Sequence, residues 1–249
     1  MKWLVFIFMI CLIPVIFLSC HKDADVMDCF KSTGKIVQEK RTVPGFSKIE
    51  LHDNVNLFLT QDSIKSEITV EAGENLISKI KTDVNDNNLV ITNTNSCNWV
   101  RNFESPINVY VTTPLLDTII YRSAGDLTWQ NPWTNDSVQF DVWEGSGTIR
   151  LWLNVQKSRI YIHYGTVDVF AYGISNVTFL SSKGFGPVNC LDLISTYFYM
   201  RTISPNDCYI YVSYELGAEI DNIGNVYYKG NPWFISCNQS SSGKLIKLD

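Results

Sequence analysis

Gly125-Asp126-Leu127, Gly147-Thr148-Ile149, Gly165-Thr166-Val167, Gly186-Pro187-Val188, Asn206-Asp207-Cys208 and Gly224-Asn225-Val226 punctuate residues 118–230, and a short alternating apolar run follows each. The corners recur about every twenty residues, the period of a solenoid whose repeats bury their apolar faces only by stacking. The runs are short and β-branched, so the repeats read as strands. The pattern predicts an all-β fold: a single-stranded, right-handed parallel β-helix, or β-solenoid.

Aligned on the corners, the repeats separate into two faces. Leu127, Ile149 with Leu151, Val167 with Val169, Val188 with Cys190, and Cys208 with Ile210 point inward. One outward ladder then reads Thr128, Arg150, Asp168, Asn189, Tyr209, Tyr227. The next reads Gln130, Trp152, Phe170, Leu191, Tyr211, Lys229. Trp152, Phe170, Leu191 and Tyr211 are expected in line at ~4.8 Å per rung, with Tyr209 beside them. An exposed aromatic row of this kind is a candidate ligand-binding surface. Aromatic ladders also stabilise solenoids by stacking alone, so the row has a structural explanation too.

The rest of the chain extends this scheme in both directions. From Gly34 onward short strands alternate with turn dipeptides, Pro44-Gly45 and Asp53-Asn54 among them. Leu76 to Lys81 suits a brief helical turn. Val84 to Leu89 reads as a hairpin turn; its Asp83, Asn85 and Asn87 mimic the opening of a calcium loop, but the glycine and glutamate such a loop needs are missing. A loop containing Trp99 precedes the alternating strand Ile107 to Val111. At the far end a polar segment leads to a capping strand, Leu245 to Leu248. No linker composition interrupts the chain, so residues 34–249 are expected to stack as one continuous solenoid, less regular in its first half.

Residues 1–19 read as a signal peptide: Lys2, an apolar run from Leu4 to Leu18, then Ser19-Cys20. The run is interrupted by Pro14 and is too short for a spanning helix. Phe17-Leu18-Ser19-Cys20 resembles a bacterial lipobox, which makes Cys20 the expected lipidated first residue and residues 20–33 a polar tether. An outer-membrane lipoprotein, periplasmic or surface-exposed, is the expected address, with the lipid at Cys20 as the membrane contact. Export permits disulfides. Cys29 and Cys97, both in polar surroundings, are the expected pair, whereas Cys190 and Cys208 alternate with apolar neighbours and read as small buried hydrophobes.

The 249 residues are 45% hydrophobic and 18% charged, a globular balance. The net charge of −5, with no basic stripe, argues against nucleic acid. No Cys-x-x-Cys or Cys/His cluster suggests a metal, and no motif implies a cofactor. His52 and Asp53 are strand neighbours pointing opposite ways, and no Gly-x-Ser-x-Gly is present. Catalytic residues are therefore not expected. The nearest approach to an enzyme is Arg150 with Asp168 on adjacent rungs, either a weak salt bridge or the remnant of a carbohydrate-cleaving site.

Arg41-Thr42-Val43-Pro44-Gly45-Phe46-Ser47-Lys48-Ile49-Glu50, Asp53-Asn54-Val55-Asn56-Leu57, Val70-Glu71-Ala72 with Glu74-Asn75-Leu76-Ile77, and Val226-Tyr227-Tyr228-Lys229-Gly230-Asn231-Pro232 fall in an order that resembles the Bacteroidetes auto-transporter adhesin head GIN domain family. The resemblance spans residues 34–249 and departs at Asn206-Asp207 and at Ser240 to Ser242, where glycines are usual. It implies an exported β-solenoid of the cell envelope and carries no catalytic residues. The resulting expectation is a non-enzymatic, adhesin-like binding or scaffold protein whose partner is a glycan or an envelope protein. A carbohydrate-active β-helix enzyme and a purely structural spacer are the alternatives.

Overall fold

A computed structural model describes residues 32–95 and 106–249. The leader, Cys20, Cys29, Cys97 and Trp99 lie outside the described residues. The first half is built from β1 (Ile36–Arg41), β2 (Lys48–Asp53), β3 (Asn56–Gln61), β4 (Glu67–Gly73), β5 (Ile80–Asn85), β6 (Asn88–Asn93), β7 (Asn108–Thr113), β8 (Thr118–Ser123) and β9 (Leu127–Trp129). The second is built from β10 (Trp133–Val142), β11 (Thr148–Ile162), β12 (Asp168–Ser182), β13 (Val188–Thr202), β14 (Cys208–Ile220), β15 (Val226–Lys229), β16 (Phe234–Gln239) and β17 (Leu245–Lys247). A single 3-10 turn, Ile77–Lys79, is the brief helical segment anticipated near residue 76.

The chain winds as a parallel β-solenoid. In β11 the buried residues are Ile149, Leu151, Leu153 and Val155, then Ser158, Ile160 and Ile162. The alternation slips by one at Gln156, so the strand bends there, and its two halves face the same interior from different walls. β12 bends at the same level because its pairing with β11 skips the same step: Val155 opposes Ser175 and Lys157 opposes Val177. The first halves stack as wall A, in the order β7, β3, β9, β11, β12, β13, β14, β15, β17. The second halves stack as wall B, in the order β6, β2, β8, β10, β11, β12, β13, β14, β16.

At the bend the interior is polar. Ser158, Ser175, Thr178 and Ser195 are fully buried and bond to one another at 2.7–3.0 Å. Hydroxyls suit this column because each donates one hydrogen bond and accepts from the next rung, so no polar group is stranded. Most of the remaining interior is aliphatic and aromatic, with Trp129 and Trp133 stacked at 5.2 Å and Phe140 edge-on to Trp129, while Ser182, Thr202 and Ser204 are also buried. Cys190 and Cys208 are buried, free thiols within this core, as their alternation implied.

The first half is not a plain continuation of the repeats. The β2–β3 coil is threaded between the β6–β7 and β8–β9 coils, so spatial and sequence order differ. Antiparallel pairs β1–β4, β4–β7 and β5–β6 close this end. The β5–β6 turn carries Asp86 and Asn87 at φ 48° and 63°, the left-handed pair a two-residue hairpin demands. The Asp83–Asn87 segment is thus a tight turn and not a cation loop. Arg41 ties the cap together: its guanidinium donates to the Ile80 and Ile77 carbonyls and to Thr82 Oγ1. A sheet edge left as open backbone invites unwanted pairing, and here short antiparallel strands cover the open sides of β6 and β7.

Candidate functional site

The outward residues of wall A belong where the alternation put them, but their register differs from the corner alignment. The first column is Thr128, Arg150, Phe170, Asn189, Tyr209 and Tyr227. Phe170 takes the place expected for Asp168, which instead opposes Thr148. Trp152 opposes Tyr172, and Tyr172 opposes Asp192. Tyr211 sits further along, opposite Ile194 on one side and Lys229 on the other. Trp152, Phe170, Leu191 and Tyr211 therefore do not form one line.

Two local features cause the shift. Gly165 stacks on Gly145, not on Gly147: it holds φ 99°, and any Cβ there would run into the Gly145 carbonyl. Only glycine fits a left-handed residue under a neighbouring carbonyl, so this contact fixes the register. Then β13 bulges after Asn189, whose side-chain oxygen accepts from the Leu191 N–H at 3.1 Å. Leu191 sits in that bulge, outside the ladder pairs.

What results is a patch rather than a row. Trp152 and Phe170 are each 37% exposed, and Ile174 and Ile194 are more so, at 56% and 49%. Ile174 opposes Ile194, which opposes Tyr211, so the aliphatic pair joins the Trp152–Tyr172 pair to Tyr211 across one surface. Trp152 lies 5.7 Å from Tyr172 between ring centroids, and Tyr209 stacks on Tyr227 at 5.0 Å. Burial, more than the nearby Asp207 carboxylate, raises the pKa of the Tyr209 hydroxyl, which stays a neutral donor. Tyr172, Ile174 and Ile194 were absent from the sequence-derived site. Their outward parity was available in the sequence, but their adjacency depended on the bulge.

Arg150 does not meet Asp168. Its Nη1 lies 3.6 Å from Asp126 Oδ2, and its guanidinium sits 6.0 Å from the Phe170 ring centroid. The carbohydrate-cleaving alternative thus loses the pair on which it stood. Among the described residues no group of three or more His, Cys, Asp and Glu is arranged to hold a metal.

Wall B carries a polar network near its first coils. His52 Nε2 lies 3.0 Å from Glu50 Oε1, and Arg122 Nε lies 3.4 Å from the same oxygen. Arg122 reaches over Trp143, which stacks on His163 at 4.0 Å. Asp53 turns away from His52, as expected, and accepts from the Asn93 N–H. These contacts join successive coils through their outer surface.

Fold and faces together define a capped parallel β-solenoid with an accessible apolar wall. The family model described as "Putative auto-transporter adhesin, head GIN domain" matches residues 45–232, and the chain belongs to that family. Among solved structures, a "putative adhesin" from Bacteroides fragilis is similar at 24% identity and a TM-score of 0.80, covering 86% of this chain and 97% of its own. A "putative lipid binding protein" from Parabacteroides distasonis is similar at 15% identity and a TM-score of 0.68, with 88% and 98% covered. A "putative adhesin" from Parabacteroides merdae is similar at 14% identity and a TM-score of 0.65, over 88% and 98%. At these identities the structures establish the fold. No curated protein matches the chain.

Proposed function

We propose that the protein is a non-enzymatic, adhesin-like binding module of the cell envelope, held to the outer membrane by lipid on Cys20. Wall A is its contact face. The observation that carries this reading is the exposure of Trp152, Phe170, Ile174 and Ile194 together on one sheet surface. Soluble proteins seldom leave several large apolar side chains grouped in the open unless a partner covers them. Their surroundings are also suited to contact: Tyr172, Tyr209 and Tyr211 are aromatic with polar tips, the residue type enriched at interface centres. The exposed side chains are spread across several rungs of one sheet, so an envelope protein fits the surface better than a small molecule. Family membership and the adhesin names of the similar structures support the same class of role.

The test is capture from solubilised envelope by immobilised residues 32–249, beside Trp152→Ala and Ile194→Asp. A defined protein retained by the wild type and lost in both variants, with melting temperature held, supports the reading. Retention unchanged in both variants removes wall A from the function.

A further inference from the structure

Wall B holds a groove that neither the apolar patch nor the family accounts for. Phe179 and Tyr199 project outward on adjacent rungs and stack, with centroids 5.5 Å apart and planes 25° from parallel. The next position in their column is Gly217. Without a side chain there, the column drops to backbone level; a Cβ on Gly217 would come within 2.9 Å of Tyr199 Cδ1. The parallel column carries Tyr161, Arg201 and Glu219. Between the two columns lies an open groove of about 400 Å³, lined at its far end by Ser236 and Asn238.

One wall of the groove is aromatic and the other is polar and already oriented. Arg201 Nε and Nη2 donate to Asp221 Oδ2 at 3.0 and 2.9 Å, and Nε lies 3.4 Å from Glu219 Oε2. The Tyr199 hydroxyl donates to Glu215 Oε1 at 3.0 Å, which fixes the ring. Preset groups lose little freedom when a ligand arrives.

We propose that this groove binds a neutral pyranose glycan. A sugar ring has an apolar C–H face that packs on an aromatic ring and an equatorial belt of hydroxyls that both donate and accept. The Tyr199 ring, backed by Phe179, supplies the first surface; Arg201, Glu219 and Asn238 supply donors and acceptors for the second. The groove runs across the rungs, spaced ~4.8 Å, so successive sugars of a linear chain meet successive rungs. Charge selects the class: Arg201 is the cation of the groove's lining and is already paired with Glu219 and Asp221, so no free cation awaits a uronate or sialate, whereas a neutral sugar needs none. The inference rests on the reading of the chain as a binding module but not on wall A.

The test is an array of neutral hexose and N-acetylhexosamine oligosaccharides beside uronate- and sialate-containing ones, probed with the chain from residue 20 onward carrying Cys20→Ala. Variants are Tyr199→Ala, Glu219→Gln and, as the wall A control, Trp152→Ala. Glu219 is an exposed carboxylate whose loss leaves Arg201 on Asp221, so that variant keeps the fold if Tyr199→Ala does not. Expected is binding to neutral glycans, weakened about tenfold or more by Tyr199→Ala and Glu219→Gln and unchanged by Trp152→Ala. A blank array, binding confined to acidic glycans, or neutral binding that only Trp152→Ala removes would each overturn the proposal. If Tyr199 merely shields Gly217, its removal lowers the melting temperature while Glu219→Gln leaves any binding intact, which overturns it too. Envelope-protein capture through wall A is read separately, so failure here is distinguishable from failure there.

Discussion

Trp152 stands opposite Tyr172 on the neighbouring rung, ring centroids 5.7 Å apart, while Phe170 stands opposite Arg150. This register turns a hypothetical aromatic line into a broad patch that includes Ile174 and Ile194. Because Trp152 and Ile194 are both substantially exposed, their replacement separates binding from stability. Trp152→Ala is expected to shift unfolding by less than about 1 kcal/mol, since large losses come from buried sites. Thermal melts run beside the capture assay check this.

The glycines that set the register give a sharper test. Gly173 holds φ 105°, and a Cβ there would strike the Leu153 carbonyl. Gly173→Ala is expected to destabilise by about 2 kcal/mol or more, combining left-handed strain with a backbone clash. Gly45 has no neighbour within 4 Å of the same atom, so Gly45→Ala is expected to be neutral or to stabilise by a few tenths of a kcal/mol. Urea unfolding of both variants measures the contrast.

The buried hydroxyl column at the bend yields a third expectation. Thr178 Oγ1 lies 3.0 Å from Ser158 Oγ and 2.7 Å from Ser195 Oγ. Thr178→Val keeps the shape but strands Ser195 and leaves Ser158 with Ser175 alone, costing about 1–3 kcal/mol. The triple replacement of Ser158, Thr178 and Ser195 by Ala, Val and Ala is expected to recover part of that loss per site, because of the column only Ser175 remains and it still donates to the Val177 carbonyl. Equal additivity across the series contradicts the column as a coupled network.

Alkali probes the buried thiols. Burial pushes Cys208 up to about 11 and raises Cys190 further still, because a thiolate there would sit in an apolar core. Below the ordinary thiol range both states hold the proton and nothing is lost. As pH rises past ~8.5 the unfolded chain releases protons that the folded chain retains, so stability falls until the folded thiol ionises. Unfolding free energy is expected to decline between pH ~8.5 and 11 by about 1–3 kcal/mol more in the wild type than in Cys208→Ala. Titration of the unfolding midpoint over that range checks the sign. Cys237, which is exposed, is expected to react with a maleimide before the buried Cys190 and Cys208.

Lipidation has its own assay. Cys20→Ala is expected to move the chain from the membrane fraction to the soluble fraction and to abolish labelling by an alkynyl fatty acid. Retained labelling contradicts Cys20 as the anchor.

Much of this architecture is legible in the residues. The corner period gives the solenoid, and strand parity correctly sends Leu127, Ile149, Val169, Val188, Cys208 and Ile210 inward. The Asp86-Asn87 turn and the helical turn near Ile77 follow from local chemistry alone. The site is less legible because adjacency across rungs depends on which glycine meets which carbonyl. Gly145 and Gly147 are both plausible corners by spacing, and only the packing of Gly165 on Gly145 decides between them. The Asn189 bulge then displaces every later outward residue of β13. The threading of β2–β3 between later coils is likewise a long-range choice that no local pattern records. Phe179, Tyr199 and Arg201 formed no part of the sequence-derived ladders, and Gly217 falls beside Tyr199 only through the pairing of β13 with β14.

The most direct test of wall A as the contact face is photo-crosslinking in intact cells, with p-benzoylphenylalanine in place of Ile194 and, separately, in place of the capped-end residue Gln38. The account predicts a discrete adduct from position 194 that disappears when Trp152→Ala is added, and none from position 38. No adduct at 194, or one indifferent to Trp152, would contradict it.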